Sequence, residues 1–166
     1  MAGYAKLNNN TNWNTPKKYC DLIKDFFINI DLDPCSNEDS IVEACKKYIY
    51  PENDGLKLSW GEKTFVNPPY GKGIKKWFEK SYNEYFFNKN EILMLVPVAT
   101  NTSHWKDYVY GKAKCICFLY DTRLKFRING NENNKGCPMA CCFIYYGNNI
   151  DRFFNYFSKF GYCVIL

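Results

Sequence analysis

"TFVNPPYGKGIKKW", residues 64–77, decides how the rest of the chain reads. A short β-branched segment runs into an asparagine, two prolines and a tyrosine before a helical pattern begins. Each proline fixes φ and removes a backbone donor, and each pushes the residue before it into extended geometry. Asn67 and Pro68 are therefore expected to be held extended, with carbonyls that cannot join a regular ladder. A rigid polar corner between a strand and a helix either ends an element or binds something. In an open α/β sheet ligands sit beyond the carboxyl ends of the strands.

Downstream of the corner, Ile74, Trp77, Phe78, Tyr82, Tyr85 and Phe86 fall on one side of a helix over residues 73–87. "ILMLVPV" and "AKCICFL" are apolar runs of the kind buried strands show, with a helix-like piece over 102–110 between them. "RLKFRI", the Asn-rich loop 129–136 and "PMACCFIYY" resemble a long hairpin. Ile150, Phe153, Phe154 and Phe157 mark a helix stopped at Gly161, and "YCVIL" is a closing strand. Upstream, "TPKKYCDLIKDFF" predicts a helix with Thr15 as N-cap, Pro16 at its first position and Leu22, Ile23, Phe26 and Phe27 as its apolar stripe. "INIDLDP" predicts a strand ending at Asp33, and a short helix is expected over 38–47. Residues 1–12 read as a loose arm. The alternation implies one α/β domain over residues 1–166, with a mostly parallel open sheet and an antiparallel C-terminal hairpin edge.

Of the 166 residues 46% are hydrophobic and 19% aromatic, which argues for a packed globule. Lys plus Arg minus Asp plus Glu is 22 − 17 = +5, a balance that suits a polyanionic partner without requiring one. The nine cysteines include no CxxC pair and the only histidine is His104, so zinc spacing is missing and no metal is expected. Reduced thiols in a cytoplasmic protein are the expectation. No apolar run approaches the roughly 18 residues of a membrane span, and the N-terminus lacks the apolar stretch of a signal peptide.

The N-P-P-Y tetrapeptide after a strand resembles the catalytic motif of S-adenosylmethionine-dependent amino-methyltransferases. With "NWNTP" (12–16), "DLDPCS" (31–36), "NDGLKLSW" (53–60), "FVNPPYG" (65–71), "RLKF" and a later "YYG", the chain is similar in order to the phage-type DNA adenine-N6 methyltransferase (Dam) family. That resemblance implies a Rossmann-like methyltransferase fold, S-adenosylmethionine as cofactor, duplex DNA as partner, and a phage or prophage setting. It also implies a catalytic set of Asn67, Pro68, Pro69 and Tyr70. The chemistry agrees. Adenine's exocyclic amine is a poor nucleophile because its lone pair is delocalised into the ring. The Asn67 side-chain oxygen and the Pro68 carbonyl can each accept one amino hydrogen, favouring the form whose lone pair points at the methyl. Tyr70 offers a face for the base, and a target inside a duplex has to be flipped out.

By the same resemblance Trp13, Thr15 and Pro16 flank the cofactor, although Thr15-Pro16 is equally a good helix cap. Asp33, Pro34, Cys35 and Ser36 match the segment around the methionine part, with Asp33 placed to attract its ammonium. Ser36-Asn37-Glu38 stands where a Gly-x-Gly would let a cofactor approach the backbone. Asp54 matches a position near the adenosine end, and it is also an ordinary Asp-Gly turn. For DNA, Arg123, Lys125 and Arg127 alternate with Leu124, Phe126 and Ile128, giving a strand with one basic face, either a phosphate rail or a solvated edge. Lys72, Lys75 and Lys76 follow the corner and could hold phosphates beside a flipped nucleotide. Two other readings stay open: methylation of an RNA guanine or a protein glutamine, and a silent DNA-binding relative.

Overall fold

A computed structural model describes residues 13–121, 123–132 and 135–166, so the expected arm over 1–12 lies outside the described residues. In chain order the elements are β1 (Trp13–Asn14), α1 (Lys17–Phe27), β2 (Ile30–Ser36), β3 (Ala44–Ile49), β4 (Lys63–Val66), α2 (Ile74–Asn88), β5 (Glu91–Pro97), α3 (Ser103–Tyr108), β6 (Cys115–Leu119), β7 (Arg127–Ile128), β8 (Asn131–Glu132), β9 (Cys141–Tyr146), α4 (Ile150–Phe157) and β10 (Gly161–Ile165). Seven strands form a mixed sheet in the order β10-β6-β9-β5-β4-β2-β3. Strands β3, β2, β4 and β5 are parallel neighbours, whereas β9 is antiparallel to both β5 and β6, and β10 is antiparallel to β6.

Strand alternation divides the core between the two faces of this sheet. Leu93, Leu95, Phe143 and Tyr145 pack with Leu22, Ile23 and Phe26 of α1 and Phe153 and Phe157 of α4. Ile92, Met94, Ile144 and Tyr146 point the other way, onto Phe78 of α2 and Trp105 of α3. The central strands β5 and β9 are thus buried on both faces, which is why their sequences are apolar without a polar period.

Four expectations are corrected. The segment expected to be a helix over 38–47 is a turn followed by β3, whose register Ile30↔Ala44 and Leu32↔Lys46 completes a parallel edge. Residues 37–43 make the crossover as a turn at 38–39 and an irregular stretch up to β3. Seven residues reach at most about 24 Å, enough to retrace β2 without a helix. Second, β2 does not end at Asp33 but runs on through Pro34 to Ser36, and its register with β3 shifts between Asp33 and Ser36, where proline has no ladder donor. Third, no long hairpin joins 123–128 to 138–146. Arg127–Ile128 belongs to a small three-stranded sheet, β1-β7-β8, while β9 sits inside the large sheet. The small sheet owes its hairpin to Asn129 and Gly130, both at positive φ (49° and 77°), the two-residue turn that matches strand twist. Fourth, the large sheet is mixed rather than mostly parallel, with three parallel and three antiparallel neighbour pairs.

Phe157 is fully buried, stacks on Phe153 at 4.5 Å, and meets Phe143 and Phe26 edge-on at 5.0 and 5.3 Å. Phe157→Ala should cost about 3–5 kcal/mol. In urea this appears as a lower unfolding midpoint with an unchanged slope.

Candidate active site

The corner after β4 is assembled by the segment that precedes α1. Asn67 Nδ2 donates to the Trp13 carbonyl at 2.8 Å and to Thr15 Oγ1 at 3.3 Å. Both amide hydrogens are thereby used, and Oδ1 is turned to the opposite side. Among the described residues neither Asn67 Oδ1 nor the Pro68 carbonyl accepts a hydrogen bond. Thr15 does not cap the helix as expected. Pro16 stands at the N-cap position without a side-chain cap, and the buried Thr15 hydroxyl serves Asn67 instead. After the corner, Gly73 takes φ +105° at the start of α2, a conformation that a residue with a Cβ rarely adopts.

Tyr70 donates its hydroxyl to the Leu95 carbonyl at 3.1 Å and sets its ring edge-on against Trp13 (6.1 Å) and Phe126 (5.7 Å). Burial pushes both the Tyr70 hydroxyl and the Cys35 thiol up, so neither is ionised near neutral pH.

Pro69 turns the other way and lines a cleft of about 720 Å³ at the carboxyl ends of β2 and β3. Pro34, Cys35, Ser36 and Asp54 also line it, whereas Trp13, Thr15, Pro16 and Asp33 do not. Four carboxylates, Glu38, Asp39, Glu52 and Asp54, border the cleft, and among the described residues no lysine or arginine is on its lining. Such a wall repels phosphate and attracts a cation. Asp54 keeps both readings: its Oδ1 accepts the Leu56 N–H at 3.0 Å as a turn residue does, and its Oδ2 lies 3.3 Å from Lys57 Nζ. Tyr48, Tyr50, Trp77 and Glu52 also line the cleft and were not singled out from sequence. A signal for Glu52 existed, an acidic residue about 20 positions past the first polar corner and just beyond the next strand.

Asp33 is buried behind this wall. Burial pushes its carboxyl up to about 6, against the pull of the nearby Ser36 hydroxyl, the Cys35 N–H, the Lys47 ammonium and Ser40. The Cys35 N–H lies 3.3 Å from Oδ1 and Ser40 Oγ 3.4 Å from Oδ2. Ser36 Oγ is buried on the cleft lining and makes no hydrogen bond of normal geometry. The loop after β2 is tied back to β1 by a reciprocal amide pair, Asn37 Nδ2 to Asn14 Oδ1 at 2.7 Å and Asn14 Nδ2 to Asn37 Oδ1 at 3.1 Å.

Of the basic residues, Arg123 and Lys125 are exposed while Leu124 and Phe126 between and beside them are buried, so the alternation is real although no strand forms there. Arg127 does not share that exposed face. It is partly buried, donates to the Gly130 carbonyl and lies 3.9 Å from Glu132, bracing the hairpin. Lys72, Lys75 and Lys76 are exposed, with Lys75 paired to Asp107 at 2.7 Å. His104 Nε2 is 3.2 Å from Thr102 Oγ1 and its ring packs on Phe78. Among the described residues no group of His, Cys, Asp and Glu could hold a metal ion, and no helix is long and apolar enough to cross a membrane.

The model of a family described as DNA N-6-adenine-methyltransferase (Dam) matches residues 5–151. Among curated proteins, a DNA N-6-adenine-methyltransferase of Escherichia phage T1 is 30% identical over 130 residues, covering 77% of this chain and 52% of its own length. The chain therefore spans about half the length of the curated relative it matches. No solved structure matches the chain.

The Asp33 carboxyl generates a pH signature. Its ordinary value is about 4 and its folded value about 6, so the folded state binds more protons between the two. Its contribution to stability should fall as pH rises from about 4 to about 6 and be flat outside that window. Denaturant titrations of the wild type and Asp33→Asn at a series of pH values should diverge across the window, the variant gaining relative stability toward neutral pH.

Proposed function

The chain belongs to the DNA N-6-adenine-methyltransferase (Dam) family, and from that premise we propose that it transfers a methyl group from S-adenosylmethionine to the N6 amine of an adenine flipped out of duplex DNA. The observation that carries the reading is the orientation of the Asn67 amide. With its NH₂ held by Trp13 and Thr15, its oxygen and the Pro68 carbonyl stand as two fixed acceptors for the two hydrogens of one amine. Fixed acceptors aimed at developing charge need no reorganisation during reaction. The amine carries its own nucleophile, so no side chain has to remove a proton before attack, in keeping with a corner whose thiol and phenol are un-ionised.

The acidic cleft fits the cofactor. When bound, S-adenosylmethionine supplies an electrophilic methyl on a sulfonium centre, and it carries an ammonium as well. Both positive centres suit a wall of four carboxylates without a basic residue. The volume lies within the range of small-molecule sites. Glu52, past the end of β3, is placed to accept from a ribose diol, and Trp77, Tyr48 and Tyr50 give the adenine moiety flat or edge contacts. Asp33 positions the Pro34–Ser36 wall from behind, while Thr15 and Trp13 act through Asn67. Tyr70 presents an immobilised ring beside the corner, where base stacking contributes about 1–3 kcal/mol. Ser36 at the end of β2, Glu52 past the end of β3 and Asn67 after β4 lie at the carboxyl ends of parallel strands, which supports a Rossmann-like reading. Arg123, Lys125, Lys72 and Lys76 are among the exposed cations and are available to phosphates.

Incubation of the purified chain with S-adenosylmethionine and unmethylated duplex DNA, followed by nucleoside mass spectrometry, should yield N6-methyladenine. Asn67→Ala should lower that yield by about 10²–10³-fold with cofactor affinity unchanged. Cofactor binding without any methyladenine, on DNA of varied sequence, would overturn the adenine reading in favour of an RNA or protein amine. Ser36→Ala should remove a hydroxyl that pulls the Asp33 carboxyl down, so in denaturant titrations the upper end of the window over which stability falls with pH should move to higher pH than in wild type.

A further inference from the structure

A second, smaller cavity of about 180 Å³ lies on the Trp13 side of the corner, walled by Trp13, Phe126, Ile128 and Pro138, with Lys135 on its lining. Its walls are continuous with the catalytic corner. Trp13 and Phe126 lie 5.3 Å apart at 32°, and the Tyr70 ring meets both edge-on. The Trp13 backbone carbonyl is also what orients Asn67. Cofactor-sized space lies on the Pro69 side, and the Asn67 oxygen is turned away from Trp13. The reacting amine belongs at that oxygen, so the aromatic cavity is on the wrong side of the amide to hold it.

We infer that the Trp13–Phe126 cavity is a subsite for a base adjacent to the target adenine and that it sets sequence preference at that neighbouring position. The inference rests on the methyltransferase reading. The occupant's chemistry follows from the walls: two aromatic rings, a proline and an isoleucine favour a flat conjugated ring system, and the volume admits one such ring system without its sugar and phosphate. The surroundings match a polyanionic strand, since Arg123 and Lys125 are exposed on the segment whose next residue is Phe126, and Lys135 is on the lining itself. Flipping one nucleotide breaks its stacking with both neighbours, which leaves an adjacent base free to seek another aromatic face. The Asn129-Gly130 hairpin joins β7 to β8, and on its other side Ile128 of β7 pairs with Trp13 of β1, so two wall residues are held in register.

Ile128→Phe fills the cavity while keeping a residue suited to a strand. Trp13→Ala removes a wall but retains the backbone carbonyl that Asn67 uses. Wild type and both variants are to be given a random-sequence duplex library with S-adenosylmethionine, and the bases around each N6-methyladenine read by sequencing. Wild type should show a preference next to the methylated adenine, and both variants should lose it. A wild-type profile that is flat next to the target, or a preference unchanged in Ile128→Phe, would overturn the inference.

A binding measurement stands apart from catalysis. Tryptophan fluorescence should be quenched by a short single-stranded oligonucleotide and not by an abasic strand of equal length. The quench should vanish in Trp13→Phe, and binding should be roughly 5- to 100-fold weaker in Ile128→Phe. Equal quenching by the abasic strand would overturn the subsite. A base-dependent quench from a chain that methylates no DNA would sustain the subsite and overturn the methyltransferase reading alone.

Discussion

Two hydrogen bonds from one side-chain amide organise this molecule's polar end. Asn67 sits after a strand that carries no donor for the next two residues, and its amide would be free to turn if Trp13 and Thr15 did not take both hydrogens. The same four-residue stretch, Trp13 to Pro16, also anchors the loop after β2 through Asn14 and Asn37 and accepts the Cys20 thiol at the Thr15 carbonyl. The amide is thereby fixed in one orientation, with its oxygen left open at the corner.

The corner divides two environments that differ in kind. On the Pro69 side lies an acidic cleft without a basic residue on its lining, and on the Trp13 side a small aromatic cavity next to exposed cations. A chain of net charge +5 thus keeps its cations away from one surface and near another. Charge sorted in this way discriminates between a cationic small molecule and a polyanionic strand, which bulk charge could not reveal.

Much of this architecture was legible in the sequence where hydrophobic period and length agreed. The apolar stripes of α1, α2 and α4 and the unbroken runs of β5, β6 and β9 announce themselves because each is buried against several neighbours. β3 did not, since an edge strand with Cys45 and Lys46 exposed has little period of either kind. Over residues 123–126 the "RLKF" alternation has the two faces expected of it but forms no ladder, and Arg127 leaves the basic face. Leu124 and Phe126 are buried by side-chain packing, and the backbone tie is a single bond from the Cys137 N–H to the Leu124 carbonyl. The Asn-Gly hairpin was present in the letters at 129 and 130 and was absorbed into a loop. Of the residues named from sequence, Pro34, Cys35, Ser36, Asp54 and Pro69 share the lining of one cleft. Of the acidic wall only Asp54 was named, because the wall draws on two loops that meet only in the fold.

The pairing of Trp13 with Ile128 has a consequence in time as well as space. Strand β1 finds its partner only after more than a hundred further residues have left the ribosome, at about 5–20 residues per second. Until then the segment that orients Asn67 has no partner strand to lie against. The Asn67 amide therefore gains the paired support of its orienting segment only once residue 128 has emerged, long after the corner itself has been made.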